Sequence, residues 1–355
     1  MRPAGGPPRL GFIGLGWIGG MRLNATAASG DAIVAALCDR RRDRLAAAGG
    51  RHPEAERFID VDALLERADS LALDGVVVAT PNALHARQAI AAFEHGLAVF
   101  CQKPLGRNEA EVRTVVDAAR RADRLLGVDY SYRYTDGART LRALIERGAL
   151  GRVFRVESVF HNAYGPDKAW CRDPVLAGGG ALMDLGVHQV DLPLWLLGAP
   201  RIEAVRGTAF REGRPLDGHP GGEVDGVDDF AVARLELEGG AVVTVDVSWN
   251  AHAGADCVFR VAVFGTRGGA VLRNVDGSFY DFELKRFTGR RGRVLRRESR
   301  EWMGRCIRAW ARRLAGHRGY SPAAEASVAV ARVIDAVYGV RTAPAGAGVA
   351  PAGAD

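Results

Sequence analysis

The chain has 355 residues, 48% of them hydrophobic and 25% charged, with 48 lysines and arginines against 42 acidic residues and a formal net charge of +6. Such a length exceeds the size at which a single hydrophobic core usually stops growing, so two domains are expected. No apolar run approaches the roughly 20 residues of a membrane span, and residues 1–8 lack the apolar segment of a signal peptide, which predicts a cytoplasmic protein with no membrane partner.

Five cysteines (Cys38, Cys101, Cys171, Cys257, Cys306) are scattered and never spaced as Cys-x-x-Cys, so they read as reduced thiols, neither a disulfide framework nor a zinc site. A basic balance alone would suit a nucleic-acid partner. Yet lysine occurs only at positions 103, 168 and 285, and the arginine-dominated remainder reflects composition more than design. Basic residues are densest between Lys285 and Arg318, where a solvated face is expected, and no nucleic-acid partner is predicted.

In chain order, residues 9–13 form a strand-like run leading into Gly14-Leu15-Gly16-Trp17-Ile18-Gly19, the G-x-G-x-x-G pattern of dinucleotide-binding βαβ units. In a chain with 45 glycines that pattern is weak alone. Its context strengthens it, because a helical stretch follows, then a second apolar strand over residues 33–38 that ends at Asp39. Gly14 permits a tight turn, Gly16 admits the pyrophosphate to the backbone, and Gly19 lets helix and strand pack closely. Asp39 is expected to accept hydrogen bonds from the adenosine ribose and to repel an extra phosphate, favouring NAD over NADP. Arg40, Arg41 and Arg42 leave NADP open, since an arginine there can bind a 2′-phosphate.

Further strands are predicted over residues 75–80, 98–101 and 125–129, with helices over 84–94 and 109–123. That alternation implies a parallel, doubly wound sheet, and ligands on such sheets lie beyond the carboxyl ends of the strands. Residues 81–85 and 102–104 sit at those ends. Lys103 is therefore a candidate to hydrogen-bond a substrate hydroxyl and stabilise charge on its oxygen.

Gly178-Gly179-Gly180 breaks the chain before a mostly apolar helix predicted over residues 181–197, interrupted by Asp184, His188 and Asp191 on one face. Three readings fit that triplet: a satisfied core network, a metal site, or a catalytic pair in which Asp184 orients His188 as a base. Catalysis is preferred, with no metal expected and Asp191 structural or an accessory contact. His161, Tyr164, Lys168, Trp170 and Arg172 precede this helix in a polar, aromatic loop suited equally to a polyol or to the surface. Strands are predicted over residues 227–237, 240–249, 258–265 and 270–274, forming an open, mainly antiparallel sheet whose free face suggests a homodimer or homotetramer. An amphipathic helix is expected over 325–338, and disordered ends over 1–8 and 343–355.

These residues resemble the glucose-fructose oxidoreductase, inositol dehydrogenase and rhizopine-catabolism (Gfo/Idh/MocA) family. The resemblance covers roughly residues 9–340. It rests on the glycine motif, Ala79-Thr80-Pro81-Asn82-x-x-His85, Gln102-Lys103-Pro104, Gly148-x-Leu150-Gly151, and Gly178-Gly179-Gly180-x-x-x-Asp184-x-Gly186-x-His188-x-x-Asp191. It implies an N-terminal Rossmann domain, taken here as residues 9–128, followed by a substrate-binding and oligomerisation α/β domain with a large open sheet, taken as 129–342.

The resemblance also implies an NAD(P)-dependent oxidoreductase acting on a sugar, inositol or related polyol. Lys103, Asp184 and His188 match the substrate-proximal residues. The cofactor set becomes Gly14, Gly16, Trp17, Ile18, Gly19, Asp39, Arg40, Thr80, Asn82, His85, Gln102 and Lys103, and the substrate set Lys103, Arg133, Asp184 and His188. Two departures stand out. Gln102 replaces a usual glutamate beside the nicotinamide, and residues 130–134 keep only Arg133 of a usual asparagine and two arginines. The family also includes NAD-assisted glycosidases and dinucleotide-binding regulators, which are the alternative functions.

Overall fold

The computed structural model describes residues 6–216, 218–220 and 226–339. The expected disordered tail, and residues 1–5 of the expected disordered N-terminus, lie outside that range. Pro8, also expected to be disordered, is buried, and its carbonyl accepts the Ile33 N–H at 2.8 Å.

Six strands form the first sheet: β1 (Arg9–Ile13), β2 (Ile33–Cys38), β3 (Glu56–Phe58), β4 (Gly75–Val78), β5 (Ala98–Cys101) and β6 (Leu126–Val128). They are ordered β3-β2-β1-β4-β5-β6, and every pairing is parallel. β4 and β5 are buried throughout because helices cover both faces. Those helices are α1 (Trp17–Ser29), α2 (Arg42–Arg51), α3 (Val61–Glu66), α4 (Asn82–Glu94) and α5 (Glu109–Arg121). Asp60 and Asn108 cap α3 and α5, accepting the free N–H groups of the first turn.

α6 (Asp136–Glu146), capped by Thr135, leads to β7 (Val153–Asn162) at the middle of a second sheet. Its other strands are β8 (Ile202–Arg211), β9 (Arg214–Pro215), β10 (Phe230–Leu237), β11 (Val242–Ser248), β12 (Cys257–Gly265), β13 (Gly268–Asn274), β14 (Phe282–Thr288) and β15 (Arg291–Glu298). The order is β15-β14-β13-β12-β7-β11-β10-β8-β9, antiparallel except where β7 meets β11. In β11, Val243, Val245 and Val247 are buried while Thr244 and Asp246 on the opposite face are only half-buried, so one face carries the core and the other is open.

On the covered face lie a π-helical turn (Leu182–Gly186) and α8 (Val187–Leu196), while α7 (Pro174–Ala177) meets α4 of the first unit, where Asn82 donates to the Ala177 carbonyl. α9 (Arg305–Gly316) and α10 (Ala326–Val337) end the described chain. Although residues 129–342 were expected to belong together, α9 packs on the first sheet, where Cys306, Ile307, Trp310 and Leu314 share a core with Leu10, Phe12 and Phe100. α10 serves both halves, with Val328 and Ala331 in the first core and Val333, Ile334 and Val337 in the second. Burying these apolar stripes draws the end of the chain back across the junction.

Candidate active site

At the amino end of α1 the backbone leaves room for a phosphate. Gly14 has φ of 89°, and a Cβ there would lie 2.6 Å from the Ala79 carbonyl oxygen, while one on Gly19 would lie 1.9 Å from the Gly14 carbonyl oxygen. Gly16 differs, because a Cβ there would meet only the Arg44 guanidinium, at 3.5 Å. The helix has no side-chain cap at Gly16, so its first N–H groups are available to an anion. This cradle suits a dinucleotide pyrophosphate.

Asp39, one residue past β2, turns Oδ2 to the Leu15 N–H at 2.7 Å and Oδ1 to the Arg41 N–H at 2.8 Å. It therefore fastens the glycine loop, and each oxygen keeps a second lone pair for a ribose hydroxyl. Arg41 is turned to Asp43, and Arg40 is exposed. The basic group that reaches this site is Arg44, 4.0 Å from Asp39 and above Gly16; sequence reasoning passed over it because its place in the first turn of α2 shows only once that helix is built. Trp17 is 57% exposed, Ile18 is half-buried, and the Lys168 ammonium lies 5.8 Å from the Trp17 ring centroid.

Lys103, just past β5, donates from Nζ to Asp184 Oδ1 and to the Asp184 carbonyl oxygen, each at 2.7 Å. The Trp249 indole donates to Asp184 Oδ2 at 3.2 Å. Asp184 lies in the π-helical turn and His188 in α8. The expected pairing of Asp184 with His188 is not formed, because the π turn inserts a residue into the helical repeat and rotates Asp184 toward Lys103. His188 is 7% exposed, with Nδ1 buried and without a partner among the described residues. Tyr132 meets its ring edge-on at a centroid distance of 4.8 Å. Burial, reinforced by the positive charges of Lys103 and Arg22, holds its pKa well below the ordinary value of 6.5, so it is a neutral imidazole at pH 7.

Other candidates are brought near this cleft but are spent on the chain itself. Arg133, expected at the substrate, forks onto Asp191 through Nε and Nη2 and stacks over Tyr130, tying the 3₁₀ turn Ser131–Tyr134 to α8. His85, expected at the cofactor, has Nδ1 2.7 Å from the Pro104 carbonyl and Nε2 2.7 Å from the Thr80 carbonyl, leaving no ring nitrogen for a ligand. Asn82 donates to the Ala177 carbonyl at 2.8 Å, and the Thr80 hydroxyl pairs with Gln88 at 2.6 Å.

Of the aromatic loop, Arg172 reaches Trp249, 6.0 Å from its ring centroid, whereas His161 faces the open side of the second sheet and pairs with Ser248 at 2.8 Å. Tyr164 is 53% exposed. Asp184, His188 and Asp191 do not converge, and among the described residues no three His, Cys, Asp or Glu side chains are grouped to hold a metal ion.

Residues 8–130 match the family described as "Oxidoreductase family, NAD-binding Rossmann fold", and residues 138–271 match the "GFO/IDH/MocA C-terminal domain". The rhizopine catabolism protein MocA of Rhizobium meliloti is 30% identical over 269 residues, covering 75% of this chain and 78% of that protein. The chain belongs to the Gfo/Idh/MocA family. Another member, inositol 2-dehydrogenase 2 of Saccharopolyspora erythraea, is 32% identical over 255 residues, 70% of this chain and 68% of that one. Among solved structures, GenD2 from gentamicin A biosynthesis, in complex with NAD, is 26% identical and superposes over 96% of this chain and 97% of its own with a TM-score of 0.76. The first sheet of this Gfo/Idh/MocA chain is thus an NAD-binding Rossmann unit, and the second is the mostly antiparallel sheet of the family.

Proposed function

We propose that this chain moves hydride between a hydroxyl-bearing carbon of a sugar, inositol or related polyol and the nicotinamide of NAD, with NADP as a second possible cofactor. The observation that carries this is the juxtaposition at the mouth of the first sheet: an ammonium, Lys103, held by the Asp184 carboxylate, beside the neutral imidazole of His188, whose buried Nδ1 has no partner among the described residues. The relatives act as a polyol dehydrogenase by name, and the dinucleotide cradle lies at the same end of the sheet.

When bound, NAD takes up the hydride. Gly14, Gly16, Trp17, Ile18, Gly19 and Asp39 form the dinucleotide end of the site, Arg44 replaces Arg40 as its basic neighbour, and Gln102 and Lys103 lie toward the nicotinamide. Lys103 donates a hydrogen bond to the substrate oxygen and stabilises the negative charge that grows there. His188, neutral at pH 7, takes the hydroxyl proton. Asp184 keeps Lys103 pointed into the cleft, and Trp249 fixes Asp184.

The half-buried open face of the second sheet, which shows Phe264, supports a homodimer or homotetramer. Five free cysteines, four of them buried, and the absence among the described residues of any helix long and apolar enough to cross a membrane support a cytoplasmic setting. The test is NAD and NADP reduction with a panel of inositols, hexoses, amino sugars and nucleotide sugars. Substrate-dependent reduction of NAD by at least one of them is expected; sugar release with no net cofactor turnover would point to a glycosidase instead.

A further inference from the structure

A string of buried polar groups runs beneath the cleft. Arg22, on α1, is 2% exposed, and its Nε donates to Asp129 Oδ2 at 2.5 Å while its Nη1 donates to the Met303 carbonyl. Asp129 follows β6, is 1% exposed, and through the same Oδ2 accepts from Gln102 Nε2. Gln102 is 6% exposed, is anchored by its backbone N–H to the Val78 carbonyl at 2.8 Å, and immediately precedes Lys103. Apolar side chains would fill this space without the desolvation cost of an ion pair, so the charges call for a task beyond stability.

The chemistry of the contact decides how the Gln102 amide faces. An ionised carboxylate only accepts, so the atom Gln102 turns to Asp129 is its nitrogen. The amide oxygen is then turned away from Asp129, and no described residue donates to it. It lies at the carboxyl end of β5, beside Lys103.

We propose that the Arg22–Asp129 pair locks the Gln102 amide so that its oxygen accepts a hydrogen bond from the nicotinamide carboxamide, which makes Arg22 and Asp129 positioning residues for the reactive end of the cofactor. This rests on the NAD reading of the site. Arg22 also belongs to the helix whose amino end cradles the pyrophosphate, so that helix is tied by hydrogen bonds to the residue before Lys103.

The test is titration with NAD and with its acetylpyridine analogue, which lacks the carboxamide N–H₂, read by quenching of tryptophan emission and alongside the melting temperature. In Asp129→Leu the Gln102 amide loses the carboxylate that holds its nitrogen and its oxygen is no longer fixed, so NAD affinity falls roughly tenfold while analogue affinity changes little. Gln102→Leu removes the acceptor itself and shows the same selective loss for NAD.

Because Asp129→Leu strands the buried Arg22 charge, Arg22→Met/Asp129→Leu serves as the folded control and shows the same selective loss for NAD. Unchanged NAD-to-analogue discrimination in that control, or in Gln102→Leu, overturns the proposal. A wild-type protein that binds no dinucleotide overturns the NAD reading beneath it.

Discussion

At the residue scale, Asp39 and His188 make opposite use of burial. Asp39 keeps a lone pair on each oxygen while fastening the glycine loop, so NAD binding is expected to exceed NADP binding by at least about tenfold, near 1.4 kcal/mol. Parallel titrations check this, and equal affinity would assign the ribose site to Arg44. His188 has its pKa pushed below the ordinary 6.5, so between those values the unfolded chain carries a proton that the folded chain lacks. Stability from this group is therefore lost as pH falls through that window. Melting temperatures of wild type and His188→Gln between about pH 8 and pH 5 should converge or cross in favour of the variant as pH falls; a constant difference would show that His188 titrates normally. Asp39, Lys103, Asp184 and His188 were legible as chemistry-bearing residues in the sequence. Which partner each one takes was not: helical spacing pairs Asp184 with His188, and only the π turn turns it to Lys103. The engagement of Arg133 with Asp191, and of His85 with two carbonyls, depends on contacts far apart in sequence.

At the element scale, the segment carrying Asp184 is held by a device that sequence reading saw only as a glycine break. Asp228 accepts the N–H groups of Gly180 and Leu182, each at 2.7 Å, and the Tyr338 hydroxyl at 2.6 Å. A Cβ on Gly180 would stand 1.7 Å from the Asp228 carbonyl oxygen, and one on Gly179 2.2 Å from the Tyr338 hydroxyl. Tyr338→Phe removes one donor from a buried carboxylate and is expected to cost about 1–3 kcal/mol, measured by denaturant unfolding. Turnover should fall as well, since the π turn loses an anchor, and a variant with unchanged stability would remove Asp228 from this account. Strands β1, β2, β4 and β5 and most of the second sheet from β10 to β13 were readable as apolar runs. β7 was not, because its open face sets Arg155 and Glu157 among its apolar residues, and β14 and β15 were hidden by the arginines of the basic stretch. That stretch forms an edge hairpin and α9, not one solvated surface.

At the scale of the whole molecule, the site exists only where the two sheets meet, and the chain secures that meeting with its last helices. Trp310 of α9 packs against Phe100 with ring centroids 5.6 Å apart and the planes tilted at 50°, and a Cβ on Gly127 would stand 2.5 Å from its ring, so the first sheet is shaped around a side chain from the far end of the sequence. Trp310→Ala is expected to destabilise by about 3–5 kcal/mol and to weaken NAD binding, measured by unfolding with and without cofactor. Retention of wild-type stability would show that the first sheet folds without α9. The central claim is that His188 takes the substrate proton while the dinucleotide is held elsewhere, and it is tested most directly by comparing His188→Ala with wild type at pH 7 on a substrate found in the panel. The account predicts a turnover number lower by roughly 10² to 10⁴ with NAD affinity nearly unchanged; a variant that keeps more than about a third of wild-type turnover would contradict it and pass the role of base to Lys103.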